Sequence, residues 1–335
     1  MKRREFLMGA AAVAAAGLVR PVTGRAAQQA KQAVLDRISI MTLNFQSMLK
    51  VPDQQPGPNR TLELFDLPQM IADTYGVHKI EFQHYHLASL EDSYLKDLKA
   101  ALSKAKSTAQ QINLEFSGLN ISAPMLRDRL LAIDLTKQFI DHAVVLGAKR
   151  VMVNQGAQGG ATSVMPTSEN KVYSIPALKT MADYGRSKGI IVSVETRGGG
   201  GGGNRGRAGA PGAAGAAAAP APPPPAPPPG LPERGMPTWT LLADIIKSAG
   251  AYSNVDVGGA AALNQQELHD CLRLMFPTTA NSLHTRVNAN WDLATAMKFL
   301  EKDLGYKGLY TIETGAGHQG TKEIYDVVVS TLSAL

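Results

Sequence analysis

The sequence predicts an α/β protein built as a closed (β/α)8 TIM barrel, with a low-complexity insertion after the fifth strand. Eight short segments rich in Ile and Val alternate with helix-like runs, and many of those runs end at glycine, as helices commonly do. Strands that alternate with helices form parallel sheets, and eight such units close a barrel. With 335 residues, of which 44% are hydrophobic, the chain is long enough to bury the core of such a barrel.

The predicted strands follow one another along the chain with helical runs between them. In chain order they span residues 37–45, 76–86, 112–121, 147–156, 189–195, 251–259, 280–288 and 306–317. The predicted helices include residues 67–76, 93–111, 135–147, 175–189, 239–250 and 291–305. We therefore expect one barrel domain that covers residues 35–335.

A tract of Gly, Ala and Pro at residues 199–235 interrupts this pattern and includes the run APPPPAPPPG. The fifth and sixth strands begin about 60 residues apart, and removing the tract makes their spacing ordinary. A linker between two domains at this place would separate the first five strands from the rest, and neither set would close a barrel. We therefore expect a disordered insertion in the loop after strand five, because the tract cannot bury enough apolar surface to order itself.

The first 27 residues indicate a secretory leader and not a part of the barrel. Arg3 and Arg4 precede Phe6 and Leu7 and then an Ala-rich apolar run, which is typical of a twin-arginine signal peptide. The mature protein is therefore expected in the periplasm or outside the cell. No stretch after the first 30 residues is apolar and long enough to span a bilayer, so we expect no stable membrane span once the signal is removed.

The charge of the chain argues against nucleic acid as a partner. Of the formal net charge of +6, residues 1–27 contribute +4, from five basic residues and one glutamate. The rest of the chain is near neutral and lacks a basic footprint for nucleic acid. The single cysteine, Cys271, excludes an intramolecular disulfide, and its apolar helical surroundings predict a buried thiol. The sequence leaves a homo-oligomeric state open.

Four metal-ligating side chains end successive predicted strands in the C-terminal half of the barrel. They are Glu195, Asp256, His284 and Glu313, which close the apolar runs IIVSVE, SNVD, NSLH and LYTIE. The carboxyl ends of barrel strands meet at one face, where barrel enzymes carry their chemistry. Three carboxylates and one imidazole suit one divalent ion, which could be Mn²⁺, Mg²⁺, Co²⁺ or Zn²⁺. The sequence therefore predicts a single divalent metal site at the barrel mouth.

The segments GVHKIEF, GIIVSVET, NVDVGG, SLHTRVN and GYKGLYTIET resemble the sugar phosphate isomerase/epimerase family of xylose-isomerase-like TIM barrels. The resemblance covers about residues 35–335 apart from the insertion. It implies that the four strand-end residues hold a metal, and that Glu195 and Glu313 act as a proton-transfer pair. Many members of the family have a histidine three residues after the aspartate of strand six, where this chain has Gly259. This departure argues against the branch of apurinic endonucleases, whose multi-metal site needs further histidines.

Such a site allows proton transfer on a small carbohydrate. A divalent ion that chelates a hydroxyl and a carbonyl of an open sugar stabilises the enediolate formed when the α-proton leaves. Glutamates on opposite sides of the ion can remove and return the proton. We therefore expect a metal-dependent isomerase or epimerase of a sugar or keto-sugar. Two alternatives stay open: a metal-dependent sugar lyase with the same site, and a non-catalytic barrel that binds a sugar or a partner, with the Pro-rich tract as its docking element.

Five further polar residues at predicted strand ends are candidate contacts for the carbohydrate. They are Arg286, His84, His86, Asn154 and Gln155. Arg286 follows the histidine of strand seven by two residues, so it is expected to point inward and bind an oxyanion or an anionic group; the alternative is an ion pair at the rim. Glu81, within the second strand, is expected either behind the site or in a layer of the barrel interior.

Overall fold

The computed structural model describes residues 20–52, 58–116, 119–154, 167–196, 236–257 and 263–335. Its strands are β1 (Ile38–Met41), β2 (Lys79–Gln83), β3 (Thr108–Leu114), β4 (Arg150–Asn154), β5 (Ile191–Thr196), β6 (Tyr252–Asp256), β7 (Thr279–Thr285) and β8 (Leu309–Ile312). Each strand pairs in parallel with the next one in the chain, and β8 pairs with β1. This closed barrel, with helices between its strands, confirms the predicted (β/α)8 fold.

The helices lie in the connections between strands, before the first strand and after the last one. They are α1 (Arg20–Leu35), α2 (Leu67–Tyr75), α3 (Asp92–Lys104), α4 (Leu126–Leu146), α5 (Lys171–Ser187), α6 (Met236–Ala249), α7 (Gln265–Met275), α8 (Leu293–Lys302) and α9 (Gly317–Ser333). Three of them are followed directly by a glycine in the left-handed region: Gly76 with φ of 66°, Gly147 with φ of 85° and Gly250 with φ of 64°. Only glycine adopts this conformation at little cost, which explains why glycine follows these helical runs.

The strands bury both of their faces, but with different side chains on each. On β4, Val151 and Val153 belong to the apolar core between barrel and helices. Met152 faces the barrel interior, where the amide of Asn254 lies 3.2 Å from its sulfur. Because side chains alternate along a strand, every second residue of each strand points into the barrel, and the last of these reaches the mouth.

The third strand is the clearest correction to the sequence-based boundaries. The sequence predicted a helix over residues 93–111 and a strand over 112–121, whereas α3 ends at Lys104 and β3 already begins at Thr108. Lys106, with φ of 54°, breaks the helix. The polar segment that follows is a strand because Gln111 points inward and donates hydrogen bonds to other buried polar groups, Glu81 and Asn113.

An ionic network around the buried Glu301 closes the amino-terminal end of the barrel, opposite the mouth. Arg37, just before β1, donates from Nη2 to Oε1 of Glu301 at 2.6 Å and to the carbonyl of Gly308 at 3.1 Å. The same glutamate oxygen accepts a hydrogen bond from the hydroxyl of Tyr310 at 2.7 Å, and its other oxygen lies 3.0 Å from Nζ of Lys307. The network therefore joins β1, α8 and β8 at the seam where the barrel closes.

Two sequence-based predictions fall on parts of the chain outside this description. The tract at residues 199–235 lies between β5 and α6 but outside the described residues. The predicted leader lies outside them as far as residue 19, and α1 begins at its Arg20. Across the described ranges, no helix combines the length and apolarity that a membrane span needs.

Candidate functional site

The four predicted metal ligands lie at the carboxyl ends of the last four strands. Glu195 is in β5, Asp256 ends β6, His284 is in β7 and Glu313 directly follows β8. All four side chains are buried, with at most 1% of each residue exposed. In the strand register Asp256 pairs with His284, so the sequence order of the residues becomes their order around the mouth.

Three of these residues form one compact group. Ligand atoms of Glu195, His284 and Glu313 all lie within 4.8 Å of one another. Nδ1 of His284 is 3.1 Å from Oε2 of Glu313 and 3.5 Å from Oε1 of Glu195. Asp256 lies outside this group, and its Oδ1 is 3.6 Å from Nε of Arg286. The geometry therefore offers two carboxylates and one imidazole nitrogen around a common point, and the four-ligand assignment stays a prediction.

A buried carboxylate behind His284 sets the orientation of its ring. Oε2 of Glu81 lies 3.1 Å from Nε2 of His284 and 3.1 Å from Nε2 of Gln111. Its Oε1 accepts from Thr311 at 2.5 Å and from Ser282 at 3.3 Å. An ionised carboxylate only accepts hydrogen bonds, so the contact with Glu81 favours a proton on Nε2 of His284. The same nitrogen lies 3.1 Å from Nδ2 of Asn254, and Nδ1 is the ring nitrogen that faces the two glutamates. A histidine that ligates a metal is commonly held by a carboxylate in this way.

The buried Glu81 and His284 shift each other's pKa toward the charged forms. Burial alone lowers the pKa of His284, but its contacts with Glu195 and Glu81 outweigh burial and raise the pKa to about 9. Burial raises the pKa of Glu81, but the hydrogen bond and charge of His284 and the hydroxyl of Thr311 bring the pKa below its ordinary value. A concentration of buried carboxylates of this kind is stabilised by a bound cation. The donor set and its charge therefore fit a divalent metal ion.

Arg286 points inward and forms an ion pair with the predicted ligands. Its Nη2 donates to Oε1 of Glu313, and its Nε faces Asp256. About a fifth of its side chain, 22%, is exposed, so the guanidinium reaches the edge of the mouth. The ion pair is present, whereas the binding of an oxyanion or an anionic group by Arg286 stays a prediction. From this position it can also donate to a negatively charged substrate oxygen.

His86 and Asn154 belong to the part of the mouth that strands β2 to β4 form. His86 is 2% exposed, and its Nδ1 is 2.8 Å from the hydroxyl of Thr42. Burial, with smaller contributions from neighbouring positive charges such as Arg60, lowers the pKa of His86 to about 3, so the ring is neutral. Asn154 ends β4 and pairs in register with Glu195, which places it beside the metal group.

His84 has different surroundings from His86, although both were predicted to contact the carbohydrate. The two histidines lie in a short 3-10 helix, and the ring of His84 packs 3.9 Å from that of Phe116. His84 lines a cavity of about 510 Å³ together with Tyr85 and Phe139, and no member of the metal group lines it. Burial lowers the pKa of His84 to about 4. Gln155 lies outside the described residues.

Sequence reasoning missed two carboxamides at this end of the barrel, Gln83 and Asn113. Both residues are fully buried and pair with each other in register across β2 and β3. The alternation in the strand KIEFQ could have identified Gln83, because it shares the inward face with Glu81. Asn113 shares the inward face of β3 with Gln111, which donates to its Oδ1 at 2.7 Å.

The chain is similar in structure to xylose isomerase-like TIM barrels that include sugar epimerases. D-psicose 3-epimerase from Clostridium cellulolyticum H10 with D-tagatose is 11% identical at a TM-score of 0.59, over 89% of this chain and 96% of that chain. The apo form of 3-keto-D-glucoside 4-epimerase, YcjR, from E. coli is 12% identical at a TM-score of 0.58, and the match covers 90% of this chain and 100% of that chain. A xylose isomerase-like TIM barrel protein from Mycobacterium smegmatis in complex with magnesium is 16% identical at a TM-score of 0.56, and the match covers 90% of this chain and 99% of that chain.

These similarities concern the fold. No protein-family model matches the chain, and no curated protein matches it in sequence. At identities of 11–16%, the similar structures show that the chain shares their barrel fold. The chain spans almost the whole length of each of them, so the barrel as a whole is shared.

Proposed function

We propose that this protein is a divalent-metal-dependent isomerase or epimerase of a sugar or keto-sugar. The observation that carries the proposal is the buried group of Glu195, His284 and Glu313 at the barrel mouth. Glu81 supports it, because this carboxylate holds His284 in the orientation that a metal ligand requires. The similar structures add support, since they include sugar epimerases and a magnesium complex.

When bound, the metal ion supplies Lewis-acid stabilisation of the negative charge that develops on the substrate as its α-proton leaves. The protein's own contribution is to position proton acceptors. Glu195 and Glu313 come from different strands, β5 and the end of β8, and they lie on either side of His284. One carboxylate can therefore take the proton from one face of the carbon atom, while the other returns a proton to the opposite face.

Arg286 can stabilise the same developing charge from the rim. Its guanidinium already faces Glu313 and Asp256, so it lies next to the group that would transfer the proton. A donor that is held in place before the reaction stabilises an oxyanion without reorganisation. We assign Arg286 this role, with Asp256 as the fourth metal ligand.

The experiment combines metal analysis with proton exchange. The mature chain is loaded in turn with Mn²⁺, Mg²⁺, Co²⁺ and Zn²⁺, and a panel of free sugars is followed by NMR in heavy water. We expect one metal ion per chain and metal-dependent uptake of deuterium at the carbon next to the carbonyl. Elimination products instead of a deuterated isomer would identify a lyase. Absence of metal binding together with absence of exchange would contradict the proposal and favour a non-catalytic sugar-binding barrel.

We also propose that the protein is exported by the twin-arginine route and acts in the periplasm. The support is Arg3 and Arg4 before an apolar, Ala-rich run. Replacing both arginines by lysine should leave the precursor in the cytoplasm, as measured by cell fractionation. Periplasmic protein from the double-lysine variant would contradict this route.

A further inference from the structure

The barrel mouth has two chemically different halves. Strands β5 to β8 end in the ionisable residues of the candidate metal site, whereas β2 to β4 contribute carboxamides. Gln83 ends β2, Asn113 lies in β3 and Asn154 ends β4. His86, three residues after Gln83, adds an imidazole that is neutral at physiological pH.

Several buried polar atoms of the carboxamide half have no partner among the described residues. Within those ranges, both side-chain amide atoms of Gln83 and both of Asn154 lack a hydrogen-bond partner, as does Nε2 of His86. Gln83 is fully buried, and the other two residues are each 2% exposed. A buried polar group without a partner costs stability, so native proteins retain such groups where they have another use.

Strand geometry directs these side chains toward the mouth. Glu81 reaches His284 across the barrel interior, so Gln83, two residues further along the same strand, points into the interior one layer nearer the mouth. Asn154 pairs in register with Glu195 on the neighbouring strand. The unsatisfied amides therefore adjoin the candidate metal group.

Asn44 shows what a structural amide at the same end of the barrel looks like. Its Nδ2 donates to the carbonyl of Ile312 and to the hydroxyl of Thr321, both at 3.1 Å. Its Oδ1 accepts from the backbone N–H of Thr314 at 2.9 Å. Asn44 is fully buried, as Gln83 is, but both of its amide atoms are used within the protein. Asn44 therefore represents amides that support the fold, whereas the amides of Gln83 and Asn154 are available to a ligand.

The chemistry of this half suits hydroxyl groups. A carboxamide both donates and accepts hydrogen bonds, and so does a hydroxyl, whereas a phosphate at neutral pH is bound best by cations. Arg60, whose positive charge contributes to lowering the pKa of His86, already donates to the backbone carbonyls of Gln46 and Leu49 at 2.9 and 3.0 Å. Within the described ranges, no lysine or arginine hydrogen-bonds to Gln83 or Asn154.

We propose that Gln83, His86 and Asn154 bind uncharged hydroxyl groups of the sugar on the side of the metal group that strands β2 to β4 form. The protein then selects free sugars over sugar phosphates. This inference rests on the proposed function for the kind of ligand, but its assignment of side chains can be tested without any reaction.

The first test measures stability. Gln83→Met and Asn154→Leu remove the unsatisfied atoms with little change in volume, so each should raise the thermal midpoint of the protein without ligand by roughly 2–4 °C. Asn44→Leu is the matched control and should lower the midpoint, because it loses three hydrogen bonds within the protein. An unchanged or lower midpoint in both test variants would overturn the assignment, because the amides would then support the fold.

The second test measures binding by calorimetry to the metal-loaded protein. D-fructose and D-tagatose are compared with their 6-phosphates, and we expect the free sugars to bind at least about tenfold more tightly. Gln83→Met and Asn154→Leu should each weaken the binding of free sugars by roughly three- to tenfold. Tighter binding of the phosphates, or no binding of either free sugar, would overturn the proposed ligand class.

The two proposals fail in different ways. If the protein binds no metal and exchanges no proton, the proposed function fails, while a higher midpoint of Gln83→Met still supports ligand-facing amides. If metal binding and exchange are present but both amide variants bind sugar as the wild type does, the proposed function stands and this inference fails.

Discussion

Replacing Glu81 by glutamine tests whether the buried carboxylate behind His284 supports metal binding. The substitution keeps the shape of the side chain and removes its charge. The amide oxygen can still accept from His284 and Gln111, where Oε2 now lies. The amide NH₂ then faces the hydroxyls of Thr311 and Ser282, which can rotate to accept. The hydrogen-bond pattern therefore survives, and the main loss is the negative charge that polarises His284.

The size of the effect follows from this pattern. Removing the outer partner of a metal-binding histidine typically costs 10–100-fold in metal affinity, or roughly 1.4–2.8 kcal/mol. We expect Glu81→Gln to weaken metal binding about tenfold, because the hydrogen bond to His284 is kept. Glu81→Leu removes that bond and should weaken metal binding about 100-fold. The assay is competition with a chromophoric chelator, using Co²⁺ so that the visible spectrum also reports the ligand geometry.

The control is Ser282→Ala, which removes one hydrogen bond to Glu81 and does not touch His284. Its metal affinity should change by less than about threefold, the scale of one weak neutral hydrogen bond. Thermal unfolding in the presence of a chelator shows whether each variant keeps its fold. Wild-type metal affinity and an unchanged Co²⁺ spectrum in folded Glu81→Gln would refute the reasoning.

Three further predictions concern the candidate metal site, the network at the amino-terminal end of the barrel and the thiol of Cys271. Glu313→Gln should keep part of its metal but lose turnover by at least about 100-fold, the scale of a general base, whereas His284→Ala should lose metal affinity first; metal stoichiometry and proton exchange separate the two. Glu301→Gln removes the charge at the centre of the network at the amino-terminal end and should lower the free energy of unfolding by about 1–3 kcal/mol in urea titrations. Burial raises the pKa of Glu301, but Arg37, Tyr310 and Lys307 outweigh it and hold the pKa below its ordinary value. The contribution of Glu301 is therefore present above the pKa of an unfolded glutamate, and wild type and variant should converge in stability as the pH falls through the folded value. Burial raises the pKa of Cys271 to about 12, so a thiol reagent at pH 8 should modify it only after unfolding; rapid modification of the native protein would contradict its placement in the core.

The barrel was predictable because its signals are local and repeated. Apolar runs mark the strands, and glycines such as Gly76 and Gly147 mark the ends of helices, so single errors do not change the count of eight. The boundaries of β3 were not predictable in the same way. Gln111 looked like a helix surface residue, and only the presence of Glu81 on the adjacent strand explains why a glutamine is buried there.

The candidate site was predictable where a residue both ends an apolar run and has metal-ligand chemistry, as His284 does. The sequence could not distinguish between two roles for Arg286, because its partners lie on other strands. The alternation in KIEFQ places Gln83 on the inward face, but it does not show that the amide of Gln83 lacks hydrogen-bond partners among the described residues. Non-local contacts decide these cases, and a single sequence does not contain the strand register that creates them.

The seam between β8 and β1 has a consequence for how the protein is made. Arg37 and Glu301, which meet there, are 264 residues apart in the chain. Contacts over such a distance form late, because the entropy of closing the intervening chain must be overcome first. A ribosome therefore completes most of the strands before the first of them gains its second neighbour, and until then β1 presents an open sheet edge. Until the barrel closes, this open edge exposes the chain to aggregation and to chaperones.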